Sequence, residues 1–132
     1  MSMNPADLDR FCGMPYSEAS FDCADFVAYV QAQLFNRAVQ MPGVRPRGVE
    51  GQAAIGRLSA AYAKPTDAPH DGDLVLMFEH GQHRPGHAGV YFRLHHEDWV
   101  LHLPDRPSGS VLHRVRDLPD YGLRLERIYA WA

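Results

Sequence analysis

Two residues of the sequence have the chemistry of a nucleophile and its base. Cys23 stands at the start of an apolar helical pattern, where a helix N-terminus would favour its thiolate over the thiol. A thiol nucleophile also needs a general base that another part of the fold brings to it. His87 is the best candidate, because it opens a short apolar run close to a glycine and can therefore face a cleft. These two residues predict a cysteine hydrolase.

A third polar group has to hold the imidazole of such a base in position. His102 lies in the next predicted strand, and neighbouring antiparallel strands bring the side chains of one face into contact. We therefore expect Cys23, His87 and His102 to form a catalytic triad.

Two acidic residues flank the cysteine. Asp22 could be a general acid, but a helix cap explains it without any chemistry. Asp25 suits the dipole of a first helical turn, although its negative charge would oppose formation of a thiolate at Cys23.

The other cysteine and several histidines are expected to have no catalytic role. Cys12 falls on the apolar face of a short predicted helix, so we place it in the core. His80, His83 and His87 are closely spaced, but their loop has no cysteine and a structural zinc site usually needs four ligands. We therefore predict neither a metal nor a cofactor. His113 is expected on the surface of a strand.

The elements that must position these residues change character along the chain. Apolar residues recur at helical spacing in segments 5–12, 22–36 and 50–63. Later segments are short apolar or alternating runs separated by Gly, Pro and Asp, as strands are: 74–78, 88–94, 99–103, 110–115 and 125–131. Helices followed by strands predict an α+β fold, with the helix that carries Cys23 packed on a five- or six-stranded antiparallel sheet.

Length and composition fit one domain spanning residues 1–132. A net charge of −3 does not favour a nucleic-acid partner, which would require a basic surface. No run approaches the roughly 20 apolar residues that cross a bilayer, so no membrane contact is predicted. The N-terminus lacks the basic start and apolar run of a signal peptide, which predicts synthesis in the cytoplasm and two cysteines that remain thiols.

Four segments, taken in order, resemble the NlpC-type cell-wall peptidases, whose fold is papain-like. They are the Gly-Met-Pro-Tyr of 13–16, the Asp-Cys segment 21–27, the Gly-Asp-Leu segment 71–78, and the His-Ala-Gly-Val-Tyr of 87–91 followed by the strand that holds His102. The resemblance implies a papain-like fold with the triad Cys23, His87 and His102.

The same resemblance implies a site and a substrate. Tyr16, Asp22 and Ala24 would line the substrate cleft, and the bond cleaved would be an amide of the peptidoglycan stem peptide, through an acyl-enzyme. The short chain is most similar to the phage-tail branch of the family, so phage-tail proteins are candidate partners and the virion a candidate location.

The chain departs from the family pattern on both sides of its cysteine. Ala24-Asp25 replaces the usual Ser-Gly or Trp-Gly, and 17–20 replaces glycines that precede the Asp-Cys pair. Two alternatives therefore stay open: a different amide or thioester substrate in the same cleft, and a non-catalytic assembly or structural protein with the same fold.

Overall fold

The computed structural model describes residues 3–39, 63–83 and 85–131 of the chain. Within these ranges the chain has an α+β fold, in which one α-helix packs on a six-stranded antiparallel sheet, as the sequence predicted. The helix predicted at 50–63 lies outside the described residues, except for Ala63, which belongs to a strand.

The helix α1, Cys23–Phe35, begins directly after Asp22. Asp22 Oδ1 accepts hydrogen bonds from the backbone N–H groups of Ala24 and Asp25 at 3.1 and 3.2 Å, and the Asp25 carboxylate accepts one from the backbone N–H of Asp22. This reciprocal capping box satisfies donors that a helix start leaves unpaired. Asn36 ends the helix in the left-handed conformation. Among the described residues, no helix is both long and apolar enough to cross a membrane.

The described strands form one sheet in the order β1-β6-β2-β3-β4-β5. Their bounds are β1, Ala63–Pro65; β2, Leu74–Glu79; β3, His87–Leu94; β4, Glu97–His102; β5, Val111–Arg114; and β6, Leu123–Trp131. Strands β2 to β5 follow one another as a meander, and β6 then crosses back to pair with β2. The sequence predicted β2 to β6 near these positions but not β1.

Successive side chains of a strand point to opposite sides of the sheet, so the sheet has two faces. Both faces are covered by other parts of the chain. Leu76, Ala88 and Leu101 pack with α1 on one side, which we call the helix face. Met77 and Val100 pack on the opposite side with Leu118, a residue of the 3-10 helix η2, Val115–Tyr121. We call this side the η2 face.

The register of the sheet assigns three histidines to the η2 face. His87 pairs with Met77, and His113 pairs with Val100. Directly opposite residues of an antiparallel pair share a face. His102 follows the helix-face residue Leu101 in β4 and therefore points to the other side.

The N-terminal segment corrects the prediction for Cys12. Residues Pro5–Phe11 form a 3-10 helix, η1, in which Leu8 and Phe11 are buried while Cys12, just beyond its end, is exposed. An α-helical spacing would have put all three residues on one face. With three residues per turn, only Leu8 and Phe11 align, so Cys12 falls outside the core.

Candidate active site

Two of the predicted triad residues are in direct contact. Nε2 of His87 and Nδ1 of His102 lie 2.8 Å apart, and the two rings meet edge to face at a centroid distance of 5.0 Å. Both side chains are buried, with exposed fractions of 2% and 0%. The first residue of β3 is thus held by the last residue of β4, as the sequence predicted for adjacent strands.

Gly89 makes room for this contact. It pairs directly with His102 across the two strands. A Cβ atom on Gly89 would lie 2.5 Å from Cγ2 of Val100 and 3.0 Å from Cβ of His102. Any larger residue would therefore push β4 side chains away from His87.

Burial keeps the two imidazoles neutral. It lowers the pKa of His87 to about 4. The pKa of His102 is also lowered, first by burial and then by repulsion from the positive charges that His87 and His113 carry when protonated and from the charge of Arg106. Near neutral pH, His87 therefore has a lone pair on one ring nitrogen and can accept a proton.

The lengths of α1 and β3 limit where Cys23 can lie relative to His87. At the C-terminal end of α1, Phe35 stacks on Phe92 of β3 at a centroid distance of 6.0 Å. From Phe35 back to Cys23 the helix rises about 18 Å, and from Phe92 back to His87 the strand extends about 17 Å. Because α1 packs chiefly on β3, these matched lengths would bring Cys23 to the end of the sheet where His87 lies if the two elements run in the same direction from this contact.

Cys23 and His87 approach that end from different sides. Cys23 belongs to the apolar cluster of the helix face, whereas the ring of His87 is on the η2 face. A contact between the thiol and the imidazole would therefore have to form around the end of β3 at which His87 lies.

Tyr16 responds electrostatically to residues near both the cysteine and the cavity of His87. Its pKa is raised to about 12, first by burial and then by the negative charges of Cys23 and Asp105, with Asp22 and Glu18 adding smaller effects. Tyr16 also packs against the core cluster to which Cys23 belongs. Asp105 in turn lines a cavity of about 350 Å³ together with His87.

The other residues predicted to line the cleft are buried at the start of α1. Asp22 is 4% exposed and its carboxylate caps the helix, while Ala24 is 1% exposed and packs in the core. Cys23 itself is fully buried. The structure therefore places Tyr16, and not Asp22 or Ala24, at partly accessible surface.

His113 is a partly exposed residue of β5, consistent with the surface strand residue that the sequence predicted, but it also extends the site. Its Nδ1 lies 3.0 Å from Nε2 of His102, and its ring stacks on Tyr121 at a centroid distance of 3.8 Å. His113 also lines a second cavity, of about 330 Å³, with His102 and Tyr121. Alternation along β5 was visible in the sequence, but the register that sets His113 opposite Val100 was not.

Comparison with known proteins does not assign a family. The chain matches no protein-family model, no curated protein and no solved structure. Within residues 3–39, 63–83 and 85–131, no group of three or more His, Cys, Asp or Glu side chains is placed to hold a metal ion.

Proposed function

We propose that this chain is a papain-like cysteine hydrolase that cleaves an amide bond in the stem peptide of bacterial peptidoglycan. The observation that carries the proposal is the 2.8 Å contact between Nε2 of His87 and Nδ1 of His102. It occupies one nitrogen of the base, and the proposed mechanism assigns the other, Nδ1, to the thiol of Cys23. A nucleophile, a base and an orienting group are the parts that a catalytic triad requires.

The reaction has two halves. The Sγ of Cys23 gives its proton to Nδ1 of His87 and attacks the substrate carbonyl carbon, forming a C–S bond and a tetrahedral oxyanion. The oxyanion collapses, the C–N bond breaks, and the amine leaves with the proton from His87. In the second half, water gives a proton to His87 and attacks the thioester, which releases the carboxylic acid and restores the thiol.

Groups at the start of α1 suit the oxyanion. The backbone N–H of Cys23 is at the positive end of the helix dipole. The phenol of Tyr16, whose pKa is raised to about 12, is protonated at neutral pH, and Tyr16 packs against the core cluster that includes the cysteine. Two donors placed before the reaction begins would stabilise developing negative charge.

The substrate class rests on the resemblance of four segments to cell-wall peptidases. The cavity that His87 lines supports a polar substrate, because Glu79, Asp105 and Arg106 also line it. A cavity lined by both acidic and basic side chains suits a peptide, which carries amide and ionic groups, better than it suits an apolar acyl chain.

Digestion of purified muropeptides tests this proposal. The wild-type protein and Cys12→Ala should release the same products, since Cys12 lies outside the proposed triad, whereas Cys23→Ala should release none. Mass spectrometry of the products would identify the bond. Equal cleavage by the wild type and Cys23→Ala would exclude Cys23 as the nucleophile.

The complete burial of Cys23 favours a second candidate. A thiol without exposed surface is typical of a structural cysteine, and a protein that kept the fold without catalysis would serve in assembly, as in a phage tail. The two candidates differ in whether the thiol of Cys23 reacts in the folded protein.

A further inference from the structure

Three histidine rings form a continuous hydrogen-bonded chain on the η2 face. Nε2 of His87 lies 2.8 Å from Nδ1 of His102, and Nε2 of His102 lies 3.0 Å from Nδ1 of His113. Each contact joins the Nε2 of one ring to the Nδ1 of the next. The proposed triad uses the first two rings and gives the third no role.

The chain of rings has a direction. A neutral imidazole carries one N–H, and each hydrogen bond needs one proton between its two nitrogens. If His87 donates from Nε2, then His102 accepts at Nδ1 and donates from Nε2, and His113 accepts at Nδ1. If the direction is reversed, every ring carries its proton on Nδ1. The three neutral rings therefore change tautomer together.

Only one direction is compatible with a base at His87. Proton transfer from Cys23 requires a lone pair on Nδ1 of His87, which exists when all three rings carry their proton on Nε2. In the reversed direction Nδ1 of His87 already holds a proton and cannot accept another.

His113 is the ring at which the direction can be set. His87 and His102 are buried, while His113 is only partly buried and lines a cavity of about 330 Å³. Tyr121 stacks on the His113 ring with an interplanar angle of 13°, which fixes the plane in which Nδ1 faces His102. Burial lowers the pKa of His113; Arg106 lowers it further, whereas Asp117 raises it. The ring is therefore neutral near pH 7, and its Nδ1 can accept a hydrogen bond from His102.

We propose that His113 is a positioning residue: by accepting a hydrogen bond at Nδ1 from His102, it holds all three rings in the tautomer that lets His87 take the proton of Cys23. The inference rests on the proposed function only in its last step, because the tautomers of the rings can be measured without any substrate.

Two substitutions separate the hydrogen bond from the packing. His113→Phe keeps a ring to stack on Tyr121 but removes the acceptor, so that the Nε2–H of His102 would have no partner in a buried setting. His113→Asn loses the stacking but can present its side-chain oxygen near the position of Nδ1. The exposed His83 supplies a control, His83→Gln, which changes the histidine content away from the chain of rings.

Long-range proton–nitrogen correlation spectra of the histidine rings give the tautomers directly. We expect Nε2–H forms of His87, His102 and His113 in the wild type and in His83→Gln, and the same forms of His87 and His102 in His113→Asn. In His113→Phe, His87 and His102 should shift toward Nδ1–H, and alkylation of Cys23 at pH 7 should slow by at least about tenfold, since a wrong tautomer disables a triad base.

Several results would overturn the inference. An Nδ1–H form of any of the three rings in the wild type would do so even if no variant folded. Unchanged tautomers in His113→Phe, or equal shifts in His113→Phe and His113→Asn, would show that the hydrogen bond at His113 does not set the direction. Failure of the proposed function is a separate result, seen as muropeptide cleavage by Cys23→Ala.

Discussion

The position of Cys23 as the first residue of α1 has a measurable consequence for its thiol. The capping box of Asp22 and Asp25 fixes the helix start, and the positive end of the helix dipole favours a negative charge there. In the proposed mechanism, His87, which burial keeps neutral, is the base that accepts the thiol proton. We therefore expect Cys23 to react with iodoacetamide well below the pH of about 8.5 at which a free thiol is half ionised.

Cys12 is the internal control for that experiment. It is exposed, but its pKa is raised by burial of its sulfur and by the charge of Asp9, so it should react only at higher pH. Peptide mapping distinguishes the two thiols, and Cys12→Ala isolates the Cys23 profile. If folded Cys23 resists alkylation, or reacts with the pH profile of a free thiol, the non-catalytic assembly protein becomes the better proposal.

Single residues show where sequence reasoning reached its limit. The pairing of His87 with His102 was predictable, because adjacent strands bring such residues together. The role of His113 was not, since it depends on the register of β5 and on a stacking contact from η2. The exposure of Cys12 was missed because apolar spacing alone does not separate a 3-10 helix from an α-helix.

At the scale of elements, the close approach of β3 and β4 makes a prediction at Gly89. A methyl group there would meet Val100 at 2.5 Å and the base of the His102 side chain at 3.0 Å. Gly89→Ala should therefore cost about 1–3 kcal/mol of folding free energy by overpacking, and should also slow alkylation of Cys23 by displacing His102 from His87. Urea denaturation and the alkylation rate measure the two effects.

Gly81→Ala controls for loss of stability alone. Gly81 lies in the turn after β2 with a φ of 78°, a conformation that is strained for alanine. A Cβ atom there would meet no atom of the described residues within 4 Å, so alanine would cause no steric clash. It should lower stability without changing the reactivity of Cys23. If Gly89→Ala and Gly81→Ala slowed alkylation of Cys23 equally, the effect of Gly89→Ala would be explained by lost stability and not by displacement of His102.

Local patterns predicted individual elements better than their arrangement. The α1 segment and strands β2 to β6 follow from apolar spacing and from turn residues between the runs. The strand β1, Ala63–Pro65, has three residues and gains its structure from pairing with β6, so no local pattern marks it. The pairing of β6 with β2 likewise joins residues that are distant in the sequence, and it depends on packing on both faces of the sheet.

At the scale of the whole molecule, the buried histidines link folding to pH. The pKa of His87 falls to about 4 in the folded protein, against about 6.5 for an unperturbed histidine. Between these two values the unfolded chain binds a proton that the folded protein does not, so stability falls as pH drops below about 6.5. The loss amounts to about 3 kcal/mol for His87 when pH reaches 4, and His102 contributes in the same direction.

Urea denaturation between pH 7 and pH 5 tests this linkage, because most carboxylates remain ionised over that interval. The wild type should lose roughly 2 kcal/mol from His87 alone over this range, while His87→Gln, which removes the buried titrating ring, should show a shallower dependence on pH. His83→Gln removes an exposed histidine and should keep the wild-type slope. If the free energy of unfolding depended on pH equally in the wild type and in His87→Gln, His87 would have the same pKa in the folded and unfolded states. That result would contradict a neutral, buried His87 at the start of β3.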